Sequence, residues 1–458
     1  MTDSDVAVVV LAAGKGRRMD SGIPKALHGV AGQPMLSHVL RAASAVEPRR
    51  MIVVVGHGME DVGRVVDGAT TVVQESQLGT AHAVLQARPE LEGFEGDVLV
   101  LFADSPLITS ATMRRLVDAR RHAADPAVVV LGFRPGDAAA YGRLVTNGNG
   151  ALKAIVEVRD ADDAQLKIGL CNGGVMAVDG AVLFEFLSEV GNDNAKREYY
   201  LTDLVEIARA HGRECAVVEC PEEETRGVNS RTDLAAVEAI LQRRLRTAAM
   251  TAGVTMVDPD TVYLSADTTF GRDVVVEPHV FFGPGVTVGG GVRIRAFSHI
   301  EGATVAAGAD IGPYARLRPG ADIGESARIG NFVEIKAATV ETGAKVNHLT
   351  YIGDASVGEG ANVGAGTVTC KYDGVGKHRT DIGAGAFIGS NSALIAPVKV
   401  GDGAIVGAGS AVSRDVPAGA LAVTRAEQSE KPGWAAKFFG RVEGRSTSAE
   451  SAKRSSKA

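Results

Sequence analysis

Two groups of residues in this sequence have types and spacing suited to chemistry. The first is LAAGKGRRM, residues 11–19, directly after an apolar run. Gly14 and Gly16 let backbone amides approach a phosphate, and Lys15, Arg17 and Arg18 add positive charge. The string is neither GxGxxG nor a P-loop, and a plain strand-to-helix turn accounts for the glycines equally well. Asp104, just past VLVLF, is placed either to hold a magnesium ion between phosphates or to cap a helix ahead of Pro106. The second group is spread over RLRPG (316–320), GNFVEIK (330–336), NHLTYIGD (347–354), GANVGAGT (360–367) and KYDGVGK (371–377). Singly, a histidine or lysine there is solvated surface. Together Arg318, Lys336, His348, Tyr351, Asn362, Tyr372 and Lys377 read as an anionic-substrate site with its own base.

The elements that must position these residues differ between the two parts of the chain. Short β-branched runs (Val6 to Leu11, Met51 to Val55, Val98 to Phe102, Val128 to Phe133) alternate with helical patterns such as Met35 to Ala45 and Thr80 to Ala87. That alternation predicts βαβ units on a mostly parallel sheet, with ligands at the carboxyl ends of its strands. From Asn229 the pattern becomes one long helix, in which Ser230 and Asp233 form a capping box and Leu234, Val237, Ile240, Leu241 and Leu245 keep helical spacing. It is either an interdomain connector or the last helix of the first domain, or both.

Of the 56 glycines, 29 fall between residues 251 and 420. There an apolar residue recurs every six positions from Phe270 through Ile294, Ile311, Ile329, Val346 and Ile352, and again from Ile382 to Val412. A hexapeptide period marks a parallel β-helix, with the apolar residue pointing into the coil and small residues at the corners. Residues Thr369 to Asp381 break the period and are expected to be extruded as a loop. The tail from 442 to 458 is rich in Ser, Ala, Lys and Glu and is expected to be disordered.

The 458 residues suggest several domains, and the net charge of −7 argues against a general nucleic-acid binder. No apolar run reaches the length of a membrane span, and the acidic start MTDSDVAVVV lacks the basic region of a signal peptide. Four scattered cysteines encode neither a disulfide framework nor a zinc site, which fits a cytoplasmic protein.

LAAGxGxRM followed by Pro24 and Lys25 resembles the signature of sugar-phosphate nucleotidyltransferases. QLGTAHAV (77–84), VLFADSPL (99–106), YGR (141–143), the stretch around Glu157, CNGGV (171–175) and GVNSR (227–231) extend that resemblance. The later strings are similar to the acetyltransferase half of the bacterial bifunctional N-acetylglucosamine-1-phosphate uridyltransferase/glucosamine-1-phosphate acetyltransferase family, so the likeness covers roughly residues 5–430.

The resemblance implies an α/β chain with a Rossmann-like nucleotidyltransferase domain (1–228), a linker helix (229–252), a left-handed parallel β-helix (253–441) and a disordered tail (442–458). It makes Asp104 and Asn229 the magnesium ligands, with Arg18 and Lys25 steadying the triphosphate of UTP. Leu11, Ala12, Ala13, Gly14, Phe102 and Ala103 would contact the nucleotide, Gln74, Gly79 and Thr80 the uracil, and Gly142, Glu157 and Asn172 the sugar. His348 would be the general base, an imidazole suiting that role near neutral pH. Arg318, Lys336, Tyr351 and Lys377 would hold the sugar phosphate, with Asn362 near the sugar amine. Tyr372, Ser390, Ala408 and Arg425 would line the coenzyme A path, and Ala365 belongs to the same acetyltransferase site. The likeness further implies a homotrimer, acetyl-CoA as co-substrate, and no nucleic-acid or membrane partner. Departures from the family pattern are Arg17 for Thr, Ala81 and Ala103 for Gly, and Lys371 for Asn. The two alanine methyls are expected to narrow backbone approach, and Lys371 either binds a coenzyme A phosphate or disturbs that end of the site. A rival reading keeps only the nucleotidyltransferase activity and makes the β-helix structural or regulatory.

Overall fold

A computed structural model of the chain describes residues 5–138, 141–148, 150–194 and 196–441. The tail expected to be disordered lies outside these. The chain divides into two compact units, one ending at Gly320 and the other beginning at Ala321.

In the first unit the early elements run β1 (Val6–Leu11), α1 (Met35–Ser44), β2 (Arg50–Gly56), α2 (Glu60–Arg64), β3 (Thr70–Gln74), α3 (Thr80–Leu85), β4 (Asp97–Phe102), α4 (Ser110–Arg120) and β5 (Val128–Phe133). They continue with β6 (Arg143–Thr146), β7 (Leu152–Val156), β8 (Cys171–Asp179), α5 (Gly180–Glu189), α6 (Leu204–Ala210) and β9 (Cys215–Cys220). The sheet order is β9-β5-β8-β4-β1-β2-β3, with β6 and β7 hung from the start of β8. β1 pairs in parallel with both β2 and β4. Alternate residues of β1 enter opposite cores: Ala7 and Val9 face one, Val6, Val8 and Val10 the other. A strand buried on both faces must be apolar throughout, which is why VAVVVL reads as a continuous run. The sheet departs from the simple βαβ expectation at β8, which runs antiparallel to β4 and β5 and bulges between Asn172 and Met176. No period in the sequence distinguishes an antiparallel insertion of this kind from another parallel strand.

Helix α7 (Arg231–Thr251) begins with the expected capping box, Ser230 and Asp233 bonding each other's backbone. The whole helix lies within the first unit. Val237 and Ile240 pack with Met19, Val30, Met35, Leu107 and Val228. One turn further on, Gln242 uses both ends of its buried amide on Leu264: Nε2 donates to the carbonyl at 2.6 Å and Oε1 accepts from the amide at 2.8 Å. Arg246 donates to Asp260 at 2.9 Å.

After α7 the chain forms two- to four-residue strands, with two of seven, arranged as a parallel β-helix. Its first-unit strands run from Thr255–Met256 to Arg316–Leu317, and those of the second unit from Ala321–Ile323 to Leu421–Ala422. Most partners lie 17 or 18 residues apart, as in Val276 with Ile294, Ile335 with Ile352, and Ile388 with Val406, and pairings that span the extruded segment lie 25 apart, as in Asn362 with Phe387. Three six-residue sides make one turn, so the hexapeptide period is the length of a side. The residues of that period are buried apart from half-buried Phe270. The break in period is shorter than expected: Thr369 and Thr380 are buried within strands, and only residues 371–379 leave the coil. Threonine at an inward position carries no apolar signal, so the sequence pattern overextended the loop. Among the described residues no helix is long and apolar enough to cross a membrane.

Replacing Gln242 by leucine should leave the Leu264 amide and carbonyl buried without partners, costing about 2 kcal/mol. Hydrogen exchange at the Leu264 amide is the direct readout, with protection expected to fall in Gln242→Leu and to persist in Gln242→Glu.

Candidate functional site

The strands β1, β3 and β4 end at one cavity of about 540 Å³, as the switch-point expectation requires. Leu11, Ala12, Ala13, Gly14, Lys25, Gln74, Gly79, Thr80, Phe102, Ala103 and Asp104 all line it. Lys25 is the electrostatic centre: its Nζ contacts Asp104 Oδ2 and donates to Asn229 Oδ1 at 2.9 Å. The backbone helps, since Val228 N donates to Asp104 O at 2.8 Å and brings the 227–229 segment alongside. Two hard oxygen donors, one carboxylate and one amide, thus converge on a single cation, the donor chemistry that a magnesium ion takes.

Gly79 has φ 120°, and a Cβ there would meet the Tyr199 carbonyl at 2.4 Å, so only glycine fits. Gln74 is buried and donates to Gly79 O at 3.1 Å, with His82 Nδ1 at 2.9 Å from the same nitrogen. Ala81 is packed in the core and does not line the cavity, which corrects the expectation that its methyl crowds the approach to a ligand. Ala103 does line it. Arg18 is exposed on a short turn outside the cavity lining, where its charge helps hold the Asp233 carboxyl below the usual range, chiefly against burial and alongside bonds from Asn229 and Ser230. The side chain of Arg17 lies outside the described residues. Gly142, Glu157 and Asn172 form a neighbouring group: Asn172 N donates to Gly142 O at 2.9 Å, and a Cβ on Gly142 would lie 3.5 Å from Glu157 Oε1. Gln77 and Glu198 line the cavity unforeseen. Glu198 comes from a distant loop with no motif, and Gln77 sits in the QLGTAHAV string only as a flanking residue.

In the second unit, stacking of the coil assembles the other group. His348 Nδ1 lies 2.6 Å from Asn331 Oδ1, its register partner one turn earlier. An amide oxygen only accepts, so Nδ1 carries the proton and Nε2 keeps a free lone pair. Asn331 was not among the expected residues, although it stands in the GNFVEIK string. Lys336 and Asp354 stack on successive turns, and Lys371 opens the extruded segment beside them: Asp354 Oδ2 is 3.9 Å from Lys336 Nζ and bonded to Lys371 Nζ. Lys371 also lies 5.7 Å above the Tyr351 ring. A Cβ on Gly353 would fall 2.3 Å from the Tyr351 hydroxyl, so glycine there makes room for the phenol. Asn362 is half-buried on the next turn, and Arg318 belongs to the end of the first unit, just beyond Arg316–Leu317.

Ala365, Ser390, Ala408 and Arg425 line up along later turns. Ala365 O accepts from Asn391 N at 2.7 Å, Ser390 O from Gly409 N at 2.8 Å, and Arg425 donates to Ala408 O. Tyr372 stands apart on the extruded hairpin, donating its hydroxyl to Gly374 O at 2.7 Å, with Lys377 as its bridge partner.

That hairpin is an ordered structure tied by Asp373. The amides of Gly376 (2.7 Å) and Val375 (2.8 Å), then the His378 imidazole (2.7 Å), bond its carboxylate and hold it well below the usual carboxylate range. The ionised form makes these bonds, so the order they give is present above the ordinary carboxylate pKa and is lost as pH falls through the depressed one. Asp373→Ala should lose it at every pH. Amide exchange at Val375 and Gly376 should quicken about tenfold at pH 7 in the variant; unchanged protection would leave the hairpin held by the Tyr372 and Lys377 bridge alone.

Comparison with known proteins bears on both units. Residues 8–162 match the MobA-like NTP transferase domain model, and residues 379–414 match the bacterial transferase hexapeptide model of six repeats. A "Bifunctional protein GlmU" of Paramagnetospirillum magneticum is 59% identical over 96% of this chain and 97% of its own length. Proteins of the same name from Rhodospirillum rubrum and Xanthobacter autotrophicus are 62% and 57% identical, over 94% and 96% of this chain and 97% and 98% of theirs. Identity at this level across nearly the whole length of each partner embraces both clusters of polar residues, and the chain belongs to the bifunctional GlmU family.

Proposed function

We propose that this chain acetylates glucosamine 1-phosphate with acetyl-CoA and then transfers UMP from UTP to the resulting N-acetylglucosamine 1-phosphate. The products are coenzyme A, pyrophosphate and UDP-N-acetylglucosamine, a precursor of peptidoglycan and other envelope polymers. The observation that carries this reading is the full-length likeness to proteins named bifunctional, in a chain that holds both a strand-end cavity and a base-bearing cationic cluster.

In acetyl transfer, His348 Nε2 takes a proton from the sugar amine as the nitrogen attacks the thioester carbonyl. The carbon–sulfur bond breaks, and coenzyme A leaves as the thiol. Asn331 fixes the imidazole tautomer and so leaves the correct nitrogen free. Lys336, Tyr351, Lys377 and Arg318 hold the sugar phosphate, and Asn362 lies near the amine. Tyr372, Ser390, Ala408 and Arg425 form the coenzyme A path, with Ala365 in the same site.

In uridylyl transfer, an oxygen of the sugar 1-phosphate attacks the α-phosphorus of UTP and pyrophosphate departs. Catalysis is mostly positioning and charge neutralisation. Asp104 and Asn229 are the residues to hold Mg²⁺, which supplies charge neutralisation of the phosphates. Lys25 and Arg18 steady the triphosphate. Gln74, Gly79 and Thr80 face the uracil, while Gly142, Glu157 and Asn172 face the sugar. Residues 1–228 carry this activity, 229–252 link, and 253–441 carry acetyl transfer. The enzyme works in the cytoplasm as a homotrimer formed through the β-helix.

A coupled assay with glucosamine 1-phosphate, acetyl-CoA, UTP and magnesium, following thiol and pyrophosphate separately, tests the whole reading. Release of both is expected. Pyrophosphate only on supplying N-acetylglucosamine 1-phosphate, with no thiol, would leave a uridyltransferase with a structural coil. His348→Ala should lower acetyl transfer at least about a hundredfold and leave uridylyl transfer intact. Asp104→Ala should abolish only the magnesium-dependent step; full activity in that variant would remove Asp104 from the metal site.

A further inference from the structure

The coil carries a carboxylate that the acetyl-transfer reading does not use. Asp354 sits between two lysines one turn before and one turn after it: Lys336 Nζ at 3.9 Å and Lys371 Nζ in direct contact. Lys371 is the more buried of the two, fixed between Asp354 and the face of Tyr351. Asp354 itself is fixed at a corner of the coil with φ 49°. Counting ions, Lys336, Lys371 and Lys377 oppose one carboxylate, so the group retains two positive charges for an incoming anion.

We infer that Lys371 is a positioning residue for sugar-phosphate binding: by bonding Asp354 directly it holds that carboxylate at 3.9 Å from Lys336, beyond hydrogen-bond reach, and leaves the Lys336 ammonium the less engaged of the two for a phosphate dianion. This rests on the acetyl-transfer reading and goes beyond it, because neither residue 371 nor 354 is given this role there. With a neutral side chain at 371, Lys336 would be the remaining ammonium within 4.0 Å of Asp354 among the described residues. A carboxylate left in a cationic site recruits the nearest ammonium and opposes a phosphate by like charge. The titration of these groups agrees. Lys371 is pulled down by burial, but its bonds to Asp354 and Tyr351 outweigh that and leave it above the ordinary lysine value. The neighbouring Lys371 ammonium is in turn the chief cause that lowers Lys336. Lys371 is therefore the more tightly held ammonium, and the Lys336 charge is the one opposed by its neighbour.

The same geometry argues against the coenzyme A phosphate as the partner of Lys371. Its ammonium is turned to the Lys336 and Tyr351 side and engaged there, whereas Ser390, Ala408 and Arg425 follow later turns of the coil.

The test is a set of four variants assayed for acetyl transfer: Lys371→Asn, Lys371→Arg, Asp354→Asn and the Lys371→Asn/Asp354→Asn double variant. Lys371→Asn should raise KM for glucosamine 1-phosphate about tenfold, with kcat and the KM for acetyl-CoA within about twofold of the parent. Lys371→Arg should stay within about threefold of the parent, because the guanidinium still engages Asp354. The double variant decides the matter: removing the Asp354 charge should return KM to within about threefold of the parent. A double variant as weak as Lys371→Asn would overturn the inference, since Lys371 would then touch the ligand itself. So would a rise in KM for acetyl-CoA that disappears with acetyl-3′-dephospho-CoA, which would assign Lys371 to the coenzyme A phosphate. Uridylyl transfer and circular dichroism of each variant report folding. A parent chain that transfers no acetyl group would overturn both this inference and the reading beneath it, whereas a working parent with a failed double variant would overturn this inference alone.

Discussion

A coil that admits one large side chain inward from each six-residue side fixes almost everything else in the second unit. The interior is closed by residues such as Ile329, Ile335, Val346 and Ile352, all without exposure. Charged and large polar groups are thereby forced outward, and because three sides make a turn, residues 17 or 18 apart come to lie over one another. Asn331 meets His348 at a spacing of 17, Asp354 lies 18 beyond Lys336, and Lys371 lies 17 beyond Asp354. Asn331, His348, Lys336 and Asp354 form a column on the coil, to which the extruded segment adds Lys371, Tyr372 and Lys377. Parallel pairing holds each member in register, so the tautomer of His348 is set by the strand pairing of Asn331 as much as by the hydrogen bond itself.

The sheet of the first unit solves the same problem differently. Its inner strands β1, β4 and β5 are buried on both faces, and the strands that meet the cavity reach it at their carboxyl ends. Leu11, Gln74 and Phe102 are such ends, and the loops leaving them supply Gly14, Gly79 and Asp104. The position of Lys25 depends on Asp104 and Asn229, which are brought together by the bond from Val228 N to Asp104 O.

Much of this was legible in the sequence because it rests on periodicity or on short motifs. The alternation of apolar runs gave β1 and β5 to the residue, and the six-residue period gave the coil. The capping box of Ser230 and Asp233 was readable because it depends on a three-residue spacing. Antiparallel β8 was not, since strand direction is a tertiary property with no local signature. Asp354 and Asn331 were within quoted strings yet unremarked: their significance lies in what stands one turn away, and that follows only when the spacing of 17 or 18 is applied to polar as well as apolar positions. Glu198 enters the cavity from a segment whose sequence carries no signal of it.

The chain carries a net charge of −7, yet each candidate site is organised around a lysine bonded to a carboxylate. The two pairs differ in what an anion would ask of them. At Lys25 the ammonium is held by the same oxygens, Asp104 and Asn229, that the proposed function assigns to a divalent cation, so a cation held there would take the place of one positive charge with another. At Lys371 the inferred arrangement lets the pair persist through binding, because the less engaged charge is carried by its neighbour Lys336. An exchange of that kind makes the first site sensitive to the cation itself. A persistent pair makes the second a fixed electrostatic surface, ordered before its ligand arrives and so needing little reorganisation as charge develops.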